Sequence, residues 1–239
     1  MKLIFAGDSI TEGITGDSYL KLFQKKDPRH TCVNLGLGGD TMIGITDRLI
    51  KYLRKHDDAQ GVFIQAGHND IILPSFRERP VPFRAFSAFL EKRGSVPTEE
   101  SIQFRSLYAR RIEEVMKLHR GPIMLMTLSC VNEDLKSETD RLRQIFNDEI
   151  RLIAKEFGLN LIDIGAAFNR ELASGGQNYS TSTVRDVFID GLLSKLPNGT
   201  SRISEMRDLK LTIDGVHLNR RGAELYERLV SEAVTALER

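Results

Sequence analysis

Of 239 residues only two are cysteine, Cys32 and Cys130, and neither belongs to a CxxC pair or a Cys/His cluster. That excludes a disulfide scaffold and a thiolate metal site, and leaves both thiols as small buried hydrophobes in otherwise apolar runs. Excess charge is missing too. Lys and Arg number 34 against 33 Asp and Glu, a net of +1, so no basic field marks a nucleic acid or an anionic membrane surface as a partner. No apolar run approaches the roughly 20 residues of a membrane span. The first apolar stretch ends after about four residues at Asp8, too short for a secretory leader. A soluble, cytoplasmic protein is therefore expected. HxH, HExxH and GxxxxGK[ST] patterns are absent, so no metal and no cofactor are expected.

What is present is a recurring order of apolar run, polar turn and amphipathic helix. Leu3 to Ala6 has the length of a buried strand and stops at Gly7-Asp8-Ser9. Tyr19 to Lys26 reads as a short helix and Thr31 to Asn34 as a second strand, after which Met42, Ile45, Leu49, Ile50 and Leu53 fall at helical spacing. Gly61 to Ala66 gives a third strand. Pro122 to Leu128 gives a fourth, whose unbroken apolar character suits a sheet covered on both faces, and Leu159 to Ile164 a fifth. Helices run through Phe104 to Met116 and through Leu142 to Phe157, the latter stopped by Gly158, and a last one carries Leu225, Tyr226, Leu229 and Leu237. This alternation predicts an α/β fold, a mostly parallel five-stranded sheet between two helical layers, in one domain over 1–239.

Two stretches break the rhythm. Residues 74–97 hold four of the seven prolines, which predicts an inserted excursion in place of a regular element. Its Phe83, Phe86 and Phe89 read as a satellite core, a lid or pocket wall, or a subunit contact. Residues 170–207 form a second excursion, with a polar tract from Ser174 to Ser182 and a helix over Val184 to Leu193.

Ligands of open α/β sheets bind beyond the carboxyl ends of the strands. Ser9, the turn Gly36-Leu37-Gly38-Gly39-Asp40-Thr41, and Asn69 each follow one of the first three strands at that end. A serine on a strand-to-helix turn suits a nucleophile whose reaction develops an oxyanion; the plainer reading is that Ser9 only caps the helix. The glycine turn reads G-x-G-x-x-T, short of the dinucleotide fingerprint, and a plain tight turn accounts for it. Gly67-His68-Asn69-Asp70 is an ordinary turn composition, yet an amide at a strand's end can donate to an oxyanion. No second histidine stands near His68 and Asp70 to complete a metal site. Asp214 and His217 have two residues between them, so the carboxylate can accept from Nδ1 and leave Nε2 to take a proton from a hydroxyl. The alternative is an Asp capping the terminal helix beside a surface His. His30, His56 and His119 stand among charged residues and read as solvated.

Gly7-Asp8-Ser9-Ile10, Asn34 to Thr41, Gly67 to Asp70, and Asp214-Gly215-Val216-His217-Leu218 together resemble the four ordered blocks of the SGNH (GDSL-type) hydrolases. The resemblance spans nearly the whole chain. It implies a flavodoxin-like α/β/α sandwich and a metal-independent carboxylic ester hydrolase, with Ser9 as nucleophile, His217 as general base and Asp214 as its orienter. It also implies an oxyanion hole made of the Ser9 N–H, the Gly39 N–H (the glycine preceding Asp40) and the Asn69 side chain. The expected substrate is a small or medium acyl ester, O-acetylated carbohydrates included. Other readings are a lipase or thioesterase for longer chains, and a non-catalytic carbohydrate- or nucleotide-binding domain on the same scaffold. A G-x-S-x-G elbow is not present at Ser9, which lies in G-x-S-x-T. The blocks leave 74–97 and 170–207 unexplained, and both are expected to shape the substrate pocket.

Overall fold

A computed structural model describes residues 1–179 and 184–239. Its sheet contains β1 (Lys2–Gly7), β2 (Thr31–Gly36), β3 (Gly61–Gln65), β4 (Ile123–Met126) and β5 (Asn160–Ile162), all parallel, in the order β2-β1-β3-β4-β5. This is the flavodoxin-like order, and the expected α/β/α sandwich is what the chain forms. β3 and β4 are buried along their whole length because both faces of the sheet are covered there, whereas the edge strand β2 is partly exposed. Along β1, Leu3 and Phe5 face a core shared with Phe63, Met124, Met126 and Tyr226, while Ile4 and Ala6 face another shared with Ile45, Leu49, Ile64 and Ile150. The first layer is built from α2 (Tyr19–Lys26), α8 (Ile164–Leu172) and α11 (Arg220–Leu237); the second from α3 (Met42–Leu53), α6 (Ser101–Leu118) and α7 (Glu138–Phe157). Order reverses between β1 and β3, so the switch-point crevice opens beyond Gly7 and Gln65. The polar blocks that follow these two strands are thereby delivered to one edge.

The shorter helices carry the departures from expectation. The 74–97 stretch is regular after all: α4 (His68–Ser75) runs into a 3₁₀ turn (Phe76–Glu78) and then α5 (Val81–Lys92). Pro82 falls within the first turn of α5, where a missing N–H is not felt, whereas Pro74 lies inside α4, one residue before its end. The fifth strand ends at Ile162, two residues short of the predicted limit, because Asp163 accepts from the Ala166 N–H (3.0 Å) and caps α8. In the 170–207 stretch, α9 occupies Val184–Leu193 as predicted and α10 (Gly199–Met206) adds a helix that was not. Ser180, Thr181 and Ser182 of the polar tract lie outside the described residues. His30 and His119 are buried, not solvated; His30 stacks on Phe23 with ring centroids 5.8 Å apart. Cys130 is fully buried, whereas Cys32 on the outer strand is only half-buried, its thiol pushed up to about 11 by desolvation. Among the described residues no helix is long and apolar enough to cross a membrane.

Candidate active site

Ser9 stands at the first position of α1 (Ser9–Glu12), immediately beyond β1. It does not cap that helix. Asp8 does, its Oδ1 accepting from the Ile10 N–H at 3.0 Å, so the Ser9 hydroxyl is free of structural duty. At four residues α1 sums too few aligned peptides to present a strong dipole, and any help it gives a negative charge is the direct reach of its N–H groups. Gly36 allows α1 to lie this close: a Cβ there would stand 2.1 Å from the Glu12 nitrogen.

Gly39 adopts φ +77°, the left-handed region that glycine enters without strain. Its N–H has no acceptor among the described residues, whereas the Gly38 N–H donates to Glu12 Oε2 at 3.1 Å. The turn is clamped by Arg48, which pairs with the Asp40 carboxylate while donating to the carbonyls of Leu35 (2.8 Å) and Gly7 (3.0 Å). One guanidinium thereby ties the ends of β1 and β2 to the glycine turn.

Asn69, in the first turn of α4, donates one amide hydrogen to the Asp40 carbonyl (2.9 Å), and the other has no acceptor among the described residues. Its neighbours hold it. Asp70 accepts from the N–H groups of Met42 (2.8 Å) and Thr98 (2.9 Å), joining α4 to the start of α3 and to the end of the 74–97 stretch; burial pushes its carboxyl up to about 7. His68, fully buried, accepts at Nε2 from the Ser129 N–H (3.2 Å), which leaves Nδ1–H to donate to Asp8 Oδ2 (2.9 Å). Burial opposes the Asp8 charge, but His68 and the Ile10 N–H outweigh it and hold that carboxyl below the usual carboxylate range. His68 is thus spent on the residue that caps α1. Among the described residues no group of three His, Cys, Asp or Glu side chains is disposed to hold a metal.

From the other end of the chain comes the loop before α11. Asn219, not Asp214, caps that helix, accepting from the Gly222 N–H at 3.0 Å. Asp214 instead turns inward: Oδ1 accepts from the N–H groups of Val216 (3.0 Å) and His217 (2.7 Å), and Oδ2 meets His217 Nδ1 at 2.6 Å. With Nδ1–H donating to Asp214, Nε2 is left as an acceptor 3.0 Å from Ser9 Oγ. Desolvation pulls the imidazole pKa down, but Asp214, with smaller contributions from Asp8 and Asp190, more than reverses this and holds it above the ordinary 6.5. The Asp214 carboxyl is correspondingly low, since His217 and the two backbone N–H groups outweigh its burial.

This loop is pinned by a residue absent from the sequence-level candidates. Glu133, fully buried, accepts from the N–H groups of Lys210 (2.7 Å), Leu211 (2.8 Å) and Thr212 (2.8 Å) and from the Thr212 hydroxyl (2.7 Å). Thr212 Oγ1 in turn accepts from the Gly215 N–H at 3.1 Å. No sequence signal distinguishes it, because Glu133 is followed at once by Asp134 and Lys136 in an ordinary polar stretch. Asp8 and Arg48 were missed as well, and both act by holding the first two blocks in place.

Ser9, Gly39, Asn69, Asp214 and His217 line a single cleft of about 630 Å³. A hydroxyl, an imidazole and a carboxylate in hydrogen-bonded series, facing N–H donors across an open cleft, can generate an alkoxide-like nucleophile and receive a developing negative charge.

Likeness to solved structures matches this geometry at the level of the fold. The chain superposes on the acetyl xylan esterase AlAXEase with a TM-score of 0.63 at 19% identity, covering 98% of this chain and 100% of that one. A variant of an acetyl xylan esterase from Geobacillus stearothermophilus gives 0.61 at 20% identity, covering 98% and 94%. A lipase/acylhydrolase from Enterococcus faecalis gives 0.60 at 18% identity, covering 98% and 95%. No curated protein matches the chain at a significant level. The model of the GDSL-like lipase/acylhydrolase family matches residues 5–225, a span that runs from β1 past His217 and takes in all four blocks, and the chain belongs to that family.

Proposed function

We propose that the chain acts as a single domain over 1–239 and is a serine carboxylic ester hydrolase working through an acyl-Ser9 intermediate. The observation that carries this reading is the hydrogen-bonded series Ser9 Oγ, His217 Nε2 (3.0 Å) and His217 Nδ1, Asp214 Oδ2 (2.6 Å) opening on a cleft. Ser9 Oγ attacks the ester carbonyl carbon as His217 Nε2 takes its proton, and the carbonyl oxygen becomes an oxyanion facing the N–H groups of Ser9 and Gly39 and the Asn69 amide. The adduct collapses, the C–O bond to the alcohol breaks, and His217 hands its proton to the departing oxygen. Water then repeats the sequence on the acyl-enzyme, releasing the acid and restoring the Ser9 hydroxyl.

A small or medium acyl ester of a hydroxylated alcohol is the substrate class this reading favours, and the acetyl xylan esterases among the structural neighbours support a carbohydrate as the alcohol. Incubation with a fluorophosphonate is expected to label one site per chain, at Ser9, with loss of ester turnover in proportion. Absence of labelling, or labelling at another serine, removes the nucleophile from the proposal. The Asn69→Ala variant is expected to lose roughly 10² to 10³ in kcat with little change in KM. An effect confined to KM would instead assign the amide to ground-state binding.

A further inference from the structure

The cleft has two unlike halves. One is walled by the α4–α5 stretch, where Phe76, Phe83, Phe86 and Phe89 stand together; the ring of Phe76 lies 5.1 Å from that of Phe83 and 6.5 Å from that of Phe86. Two guanidinium groups that also line the cleft lie against these rings, Arg79 over Phe83 at 4.6 Å and Arg93 over Phe89 at 5.5 Å. Phe89 remains 53% exposed and lines the cleft. The other half is polar, formed by Asn132, Ser137, Thr139, Asn178 and Tyr179, with Asn132 Nδ2 donating to Asn178 Oδ1 at 2.8 Å.

Each half is fastened to a different part of the reaction centre. The phenylalanine half adjoins the oxyanion side, because Leu90 of α5 rests on Gly39: a Cβ there would stand 2.8 Å from Leu90 Cδ1. The polar half adjoins the base, since a Cβ on Gly215 would stand 3.0 Å from the Tyr179 carbonyl and 3.7 Å from Asn132 Cα. Stereochemistry then assigns the substrate. The tetrahedral carbon carries Ser9 Oγ, the oxyanion, the departing oxygen and the acyl chain. His217 must reach both Oγ and the departing oxygen, so the alcohol leaves on the polar side. The oxyanion points at Gly39 and Asn69, and the acyl chain is directed away from His217, towards the phenylalanines.

On the acyl-Ser9 reading given above, we propose that the α4–α5 wall is an acyl-chain site selecting unbranched groups from butyryl to octanoyl over acetyl, with a hydroxylated alcohol in the polar half. Each added methylene leaves water for an aromatic surface before the transition state is reached, so kcat/KM gains the equivalent of one CH₂ transfer, about fourfold per methylene until the wall is filled. The same methylenes added to the alcohol at constant acyl group meet polar side chains and gain much less.

The test is a series of p-nitrophenyl esters from acetate to octanoate, set beside alkyl butyrates of growing alcohol, with active sites counted by fluorophosphonate titration. The expected result is a rise of about 15-fold from acetate to butyrate, two methylenes at the stated increment, and little dependence on the alkyl alcohol. In the Phe86→Ala/Phe89→Ala double variant, whose first ring is half-buried and second exposed, the butyrate-to-acetate ratio is expected to fall towards unity per titrated site. A flat or falling acyl series with Ser9 still labelled overturns the acyl-chain site and leaves the esterase reading standing, as does an unchanged ratio in the double variant. No turnover of any ester, with no labelling of Ser9, overturns both together.

Discussion

The purified Ser9→Ala protein is expected to hydrolyse p-nitrophenyl esters with kcat lower on the order of 10⁴ to 10⁶ than the native chain, and to unfold at the same temperature. The two halves of that expectation come from separate facts. The hydroxyl lies 3.0 Å from His217 Nε2 and is the proposed attacking group, so its removal leaves only water and whatever the oxyanion donors give. Its structural role is nil because the helix cap belongs to Asp8, whose Oδ1 holds the Ile10 N–H at 3.0 Å. Had Ser9 been the cap, the alanine variant would lose about 1 kcal/mol of stability and blur the kinetic result. Turnover near that of the native protein would remove Ser9 from the mechanism altogether.

Replacement of Asp214 by Asn is expected to lower kcat about 10⁴-fold and to move the acid limb of kcat/KM to lower pH. The sign follows from the proton balance. His217 must be neutral to receive the Ser9 proton, so activity of the native chain falls as pH drops through an imidazole pKa that lies above 6.5. Desolvation by itself lowers that pKa; the Asp214 charge is the strongest influence raising it. Without the charge, the imidazole loses its proton at lower pH and the limb shifts down. The rate at the plateau still falls, because an amide can donate to Nδ1 and favour the tautomer whose Nε2 carries the hydrogen and cannot accept. Kinetics from pH 4 to 9 check both parts, and a variant with an unmoved acid limb would mean that Asp214 does not set the imidazole.

The sheet and the groups proposed to react were legible because each is encoded locally. Five apolar runs ending in polar turns set the strands, and Ser9, Gly39, Asn69, Asp214 and His217 sit within short blocks whose order alone assigns them to one edge. What escaped notice depends on partners far along the chain. Glu133 meets Lys210, Leu211 and Thr212, residues 77 to 79 positions away, and nothing in its own neighbourhood marks a buried carboxylate as the anchor of a loop. Arg48 reads as an ordinary helix-surface cation until its contacts with Gly7, Leu35 and Asp40 are seen. His30 and His119 have charged sequence neighbours, and their burial is decided by packing such as the stack on Phe23. Composition misled at 74–97 because proline count was read without helix position, which decides whether a missing N–H is felt.

Ser9 and His217 meet across 208 positions of sequence. The proposed nucleophile lies just beyond β1, the first strand of the chain, and the proposed base on a loop held by Glu133 and leading into α11. On the proposed mechanism, a chain without its C-terminal portion has the serine without its proton acceptor. Turnover by the proposed route therefore requires both ends of the chain to be docked on the one sheet.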